Sequence, residues 1–380
     1  MLGNNAWRIG RVGGIEIKID PSWSFIAFLI AYSFFVQLSF EFPEQTTTTL
    51  IVPALLMAVV FFGSVLIHEL AHSFVARSRG VEVKGITLFL FGGATHADLE
   101  TENPTDELVI SIVGPLTSLA LGAVLWGIAE VTSPGMVGYA AGYLGWINLA
   151  LAVFNLVPGF PLDGGRVLRS LIWRASGDLV KATRIAARAG QLVGYALIGF
   201  GIFLVLFAGN LVGGLWLVAI GWFLSQSAQS SFMQMQVRRM LSDVPAAQMM
   251  TRDLMELSGD LTLRQAVDDY FMRHDFNAFP VSEDGRVVGI ITLSTVRQVP
   301  RDEWATRRVR EFVTPLSDAC TVDRSEPMDE VLDKLSSNEH HRVVVKEDGE
   351  VAGIITPRDL ARWLERSQDL GLTESLRRSS

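Results

Sequence analysis

Cysteine occurs once in 380 residues, at Cys320, so the chain can form no internal disulfide and build no cysteine metal cluster. A catalytic metal would have to be held by histidine and carboxylate, and histidine is scarce as well, at 6 residues. Charge is the third shortage. Charged side chains make up 19% of the chain against 49% hydrophobic residues, with a mean hydropathy of +0.33, where an ordinary globular domain is about a quarter charged. That excludes a wholly soluble protein and indicates an integral membrane protein with a soluble part. The first 240 residues contain 14 Lys+Arg and 14 Asp+Glu and the remainder 18 and 26, so the net charge of −8 falls on the C-terminal part. An acidic module without a basic cluster argues against a nucleic-acid partner. The solitary cysteine gives no sign of an oxidising compartment, so this module is expected in the cytosol.

Long apolar runs are what the chain has in place of charge. Uncharged stretches cover residues 21–40, 46–67, 108–129, 131–162 and 189–237. The last is 49 residues long, enough for two crossings at about 20 residues each, so about six transmembrane helices are expected. No small-residue cleavage site follows the first run, which therefore reads as an anchor and not as a signal peptide. With the N-terminus in the cytosol, the three outer loops (41–45, 130–138 and 208–214) contain no Lys or Arg, as the positive-inside rule demands. The expectation is a multi-pass protein of the cell membrane with both termini and the soluble module cytoplasmic. Residues 81–96, rich in β-branched and aromatic side chains and broken by Gly85 and Gly92-Gly93, read as short strands at or dipping into the cytosolic interface. They border either a functional cavity or nothing more than an interfacial hairpin.

The uncharged run 46–67 ends on His68-Glu69-Leu70-Ala71-His72. On a helix, residues four apart stand one above the other, so both imidazoles can reach one ion while Glu69 flanks it as base. Two histidines and a water leave a catalytic site one protein ligand short. A candidate third ligand is Asp163, the first charge after 32 uncharged residues, within Asn155-Leu-Val-Pro158-Gly-Phe-Pro161-Leu-Asp163-Gly-Gly-Arg166. The prolines and glycines there unwind a helix and free the carboxylate to turn. Alone, Asp163 reads equally well as the cap of a helix over 166–176; beside His68, Glu69 and His72 the ligand reading prevails. Asn155 either bonds a neighbouring helix or orients substrate or oxyanion, and His96 is similarly ambiguous. Arg166, Arg169 and Arg174 with Trp173 read as an interfacial helix whose cations reach up to lipid headgroups.

H-E-L-A-H at 68–72 followed by N-L-V-P-G-F-P-L-D-G-G-R at 155–166 resembles the site-2 protease family of intramembrane zinc metalloproteases. W-R-I-G-R-V-G-G-I-E-I-K-I-D-P-S-W at 7–23 and F-G-G-A at 91–94 are similar to the same family, and the likeness extends over roughly the first 225 residues. It implies a six-helix membrane core, Zn2+ held by His68, His72 and Asp163, and Glu69 as general base. The implied substrates are membrane-spanning proteins cut within or at the edge of a transmembrane helix, in regulated intramembrane proteolysis.

The soluble part repeats itself. Glu283-Asp-Gly-Arg-Val-Val-Gly-Ile-Ile-Thr292 recurs as Glu347-Asp-Gly-Glu-Val-Ala-Gly-Ile-Ile-Thr356, each copy with a D-G turn between β-rich runs and an amphipathic stretch before it (263–272 and 328–335). The pair resembles tandem cystathionine-β-synthase (CBS) domains, an α/β module that often forms homodimers and in many proteins binds an adenine nucleotide. In that pattern Thr356 faces phosphate and Asp359 the ribose; the first copy reads Thr292-Leu-Ser-Thr295 and lacks the Asp, leaving at most one good site. A purely structural or dimerising module is the competing reading. The resulting division is a metalloprotease core at 1–225, a linker at 226–245 that continues the sixth helix, and CBS domains at 246–300 and 309–366, with a frayed polar tail. The functional alternative is a CBS-regulated divalent-cation channel or transporter, in which the same histidines and acids bind a permeating ion.

Overall fold

The computed structural model describes residues 6–89, 92–97, 101, 103–252, 254–274, 276–316, 321–337 and 342–369. Phe91, Cys320 and the polar tail lie outside them. Among the described residues, six helices are long and apolar enough to cross a membrane: α1 (Trp23–Glu41), α2 (Thr47–Ser78), α3 (Pro104–Thr132), α4 (Met136–Asn155), α6 (Leu179–Phe207) and α7 (Leu211–Ser242). A shorter α5 (Asp163–Ser176) stands between α4 and α6. Large apolar side chains such as Phe28, Phe40, Val59, Leu116 and Phe207 are exposed, as a lipid-facing surface requires. Two compact units divide the chain, residues 1–233 and 234–380.

In the first unit the sequence signals for helix ends are obeyed. Thr46 caps α2 by accepting from the Thr49 backbone N–H, and Asn103 caps α3 by accepting from Thr105 N–H. At 32 residues α2 is about 48 Å long, longer than a hydrocarbon core of roughly 30 Å.

A four-stranded sheet forms where only short strands at 81–96 were expected. Its order is β1 (Trp7–Val12), β2 (Ile15–Ile19), β3 (Val83–Phe89), β4 (Gly92–Ala97). β1 and β2 form a hairpin turned at Gly13-Gly14, both at positive φ, which glycine adopts freely. β2 runs parallel to β3 with Ile17 opposite Ile86 and Ile19 opposite Leu88, and β3 pairs antiparallel with β4. Ile15, Ile86 and Leu88 pack with Ala76 of α2 and Ile110 of α3, so the sheet fixes the end of one helix against the start of the other.

α5 begins at Asp163, three residues before the expected 166, and ends in a left-handed Gly177. The expectation that its arginines all reach headgroups fails at Arg169. That side chain turns inward to Glu107 in the first turn of α3, whose carboxylate is 2% exposed and accepts from Nε at 2.7 Å and from Nη2. A carboxylate enclosed at the head of α3 needs a cation, and Arg169 supplies it.

In the second unit the repeat is visible as two sheets. One has the order β5 (Leu257–Ser258), β6 (Ala278–Glu283), β7 (Arg286–Thr292), β8 (Thr314–Pro315); the other pairs β10 (Val343–Glu347) with β9 (Thr321–Asp323) on one side and β11 (Glu350–Ile355) on the other. The hairpins β6–β7 and β10–β11 turn at Asp284-Gly285 and Asp348-Gly349, all four residues at positive φ, the conformation that makes D-G a hairpin signal. Each copy closes its own core, around Phe279 and Ile291 in the first and Val343 and Ile355 in the second. Ile290, Val344 and Ile354 form a third cluster that joins the copies.

Candidate metal centre

His68 and His72 lie one turn apart on α2, nearly fully buried. Their Nε2 atoms are 3.2 Å apart, and Asp163 Oδ2 lies 3.2 Å from the first and 3.3 Å from the second. Asp163 is the first residue of α5; the cap position belongs to Leu162 and no side chain caps that helix. The cap reading of Asp163 is thus set aside, because its carboxylate faces the imidazoles and not its own helix.

The size of this triangle is a test of what fits it. Tetrahedral zinc takes His nitrogen and carboxylate oxygen at about 2.0–2.1 Å, and a tetrahedron's edge is about 1.63 times its radius, so ligand atoms should stand roughly 3.3–3.4 Å apart. The observed edges meet that within a tenth or two of an ångström. The lone pairs agree. His72 Nδ1 donates to the Ile110 carbonyl at 2.6 Å, and a carbonyl can only accept, so in the neutral ring Nε2 is left bare. Bare nitrogen converging with another imidazole nitrogen and a carboxylate oxygen is repulsive unless a cation stands among them. Room for it is kept by Gly114 on α3: a Cβ there would fall on His72 Nε2 and 2.7 Å from His68 Nε2. Donor chemistry, spacing and space all suit one divalent metal, and His68, His72 and Asp163 are the metal-ligand cluster found among the described residues.

Glu69 is half-buried between the two histidines in sequence, close enough for its charge to act on His72 and on Arg166. Asn155 is the last residue of α4 and makes no hydrogen bond to the three ligands. His96 lies in β4 opposite Gly85.

The profile of peptidase family M50 matches residues 56–141 and 130–200, and that of the CBS domain matches 242–302 and 309–366. Rip3 of Mycobacterium tuberculosis is 34% identical over 363 residues, covering 94% of this chain and 92% of its own. Zinc metalloprotease MJ0392 of Methanocaldococcus jannaschii is 30% identical over 80% of this chain and 83% of its own. A solved site-2 protease from Methanocaldococcus jannaschii, also 30% identical, aligns with a TM-score of 0.42 over 60% of this chain and 95% of that one.

The chain belongs to peptidase family M50, the site-2 proteases.

It is therefore a multi-pass membrane metalloprotease with a tandem CBS module, and the channel or transporter alternative has no observation in its favour. Within this M50 core, sequence reasoning missed the contribution of α3. Ile110 supplies the carbonyl for His72, Gly114 the space, and Ser118 a hydroxyl 2.9 Å from His68 Nδ1. The available signal was the small residues Ser111, Gly114, Ser118 and Gly122 at spacings of three and four along α3, which mark close approach of another helix. In the second CBS copy Asp359 Oδ2 accepts from Thr356 N–H at 2.9 Å and from Thr356 Oγ1 at 2.7 Å, while Oδ1 accepts from Thr251 Oγ1 at 2.9 Å. In the first copy the fully buried Thr292 accepts from Thr295 N–H, with hydroxyls of Ser294 and Thr295 about it and no carboxylate.

Proposed function

We propose that the protein is an intramembrane zinc metalloprotease that hydrolyses peptide bonds in or near the transmembrane segments of membrane-protein substrates. The observation that carries this reading is the donor triangle, zinc-sized and set on helices apolar enough to cross a bilayer. His68 and His72 through Nε2 and Asp163 through Oδ2 hold the metal, leaving a fourth position open. When bound there, zinc supplies Lewis acidity to a water and to the peptide carbonyl. Glu69 takes the proton of the attacking water and passes it to the departing amide nitrogen. Asn155, at the end of α4, orients the substrate or its developing oxyanion.

A substrate helix hides its carbonyls in i to i−4 bonds, so it must unwind before attack. Pairing with a sheet edge compensates its backbone groups. β3 has neighbours on both sides, so the edges of the sheet are β1 and β4, and β4 packs against α2, the helix of His68 and His72. Prolines at those alternate positions of 92–97 that face away from β3 are expected to slow cleavage and leave zinc in place; unimpaired cleavage would remove strand addition from the mechanism.

The core at 1–225, the linker at 226–245 and the CBS domains at 246–300 and 309–366 remain the proposed division, with both termini and the CBS pair cytoplasmic. The pair regulates the protease, as a homodimer that takes an adenine nucleotide at Thr356 and Asp359. Purified protein should hold one zinc per chain and cut a single-span reporter in vesicles. Asp163→Ala should lose the zinc, and Glu69→Gln should keep it while cleavage falls by about 10²- to 10⁴-fold. A zinc-free wild type, or normal cleavage by Glu69→Gln, would sink the assignment.

A further inference from the structure

We infer that Ser118 is a positioning residue of the metal centre: its hydroxyl accepts a hydrogen bond from His68 Nδ1–H and so holds the Nε2 lone pair on the ion. This rests on the zinc reading above. Ser118 is fully buried, His68 is 4% exposed, and Oγ and Nδ1 are 2.9 Å apart.

The contact is one half of a matched pair. Ile110, Gly114 and Ser118 follow one another at intervals of four on α3 and therefore share a face. Ile110 bonds His72 Nδ1, Ser118 meets His68 Nδ1, and Gly114 between them leaves open the place where both Nε2 atoms point. For His72 the acceptor is a main-chain carbonyl, which admits a single tautomer of the neutral ring. For His68 the acceptor is a side chain, so the same requirement rests on a residue that can be changed.

The requirement is physical. A His68 ring protonated on Nε2 would put that proton 3.2 Å from His72 Nε2, inside the donor triangle where the metal belongs. An acceptor at Nδ1 moves the proton to the far side and fixes the ring plane. An apolar residue in place of Ser118 leaves a buried N–H without a partner, which disfavours the ligating tautomer. Ser111 shows that burial of a hydroxyl on α3 is not enough: it is 1% exposed and its Oγ has no hydrogen-bond partner.

The test is zinc affinity of the full-length protein in detergent, measured by competition with a chelator of known affinity, together with the thermal midpoint of the zinc-free protein. Ser118→Ala is expected to bind zinc about 10- to 100-fold more weakly, Ser118→Thr to restore most of that loss, and Ser111→Ala to bind as wild type does. Zinc-free Ser118→Ala should still fold and melt in a cooperative transition, somewhat below zinc-free Ser111→Ala because it leaves the His68 N–H unpaired. Wild-type affinity in Ser118→Ala overturns the role of Ser118, as does an equal loss in Ser111→Ala or an unrelieved loss in Ser118→Thr. Should Ser118→Ala fail to fold, Ser118→Cys carries the same expectation, because a thiol of nearly the same size is a weak acceptor. A wild type that takes up no zinc is a different failure: it removes the metal centre itself, and this inference with it.

Discussion

Asp163 in the membrane core and Asp359 in the second CBS copy both stand in the first turn of a helix with little exposure, yet their oxygens are used in opposite ways. Asp359 has both oxygens occupied locally, one by the backbone and hydroxyl of Thr356 at its own helix N-terminus and the other by Thr251. Asp163 turns away from its helix, and its Oδ2 meets two imidazole nitrogens, one of them bare. A carboxylate whose lone pairs already accept hydrogen bonds is a fastener. One aimed at other lone pairs is waiting for a cation.

The comparison can be broken most forcefully at Gly114. Gly114→Ala places a methyl among the donor atoms, so zinc and cleavage should both be lost while the CBS module is untouched; zinc content of the purified variant decides it. A smaller but still large effect is expected at Glu107, a third enclosed carboxylate. Arg169→Ala strips Oε1 of its partner beside an Oε2 that has none, and should cost about 3–5 kcal/mol of stability, read as a lowered thermal midpoint in detergent. Asp359→Ala should cost about 1 kcal/mol or somewhat more through loss of the helix-end bonds. A loss of ATP binding in the same variant would show that the fastener is also a ligand contact.

The smallest effect is expected at Asp323, an exposed carboxylate held below the usual carboxylate range by the hydroxyl and then the backbone N–H of Ser325. A lowered native pKa means the stabilisation is complete above the unfolded value, near 4, and disappears as pH falls through the native value. The melting difference between wild type and Asp323→Asn should therefore be present at neutral pH and vanish in acid.

Some of this centre can be read from spacing and some cannot. His68 and His72 follow from helical periodicity, and Asp163 from a charge that ends a long apolar run at a proline–glycine break. Ile110 was out of reach because it contributes a main-chain oxygen, which carries no side-chain signature. Ser118 was hidden because one hydroxyl in an apolar helix is common. Arg169 meets Glu107 across 62 positions of sequence, a pairing that packing reveals and helical spacing does not. In the soluble part the D-G turns specify the hairpins by local chemistry alone, whereas the pairing of the β1–β2 hairpin with β3 joins strands far apart in the chain and has no local signature.

The residues of the candidate metal centre are far apart in the chain, Asp163 standing 95 positions after His68. During synthesis α2 and α3 leave the ribosome with both imidazoles, Glu69, the open space at Gly114 and the acceptors Ile110 and Ser118, but without Asp163. Until residue 163 has left the ribosome and α5 has folded back, the growing chain holds an incomplete binding site. On the function proposed above, the hydrolytic centre is complete only once α5 has formed and brought Asp163 to the two histidines.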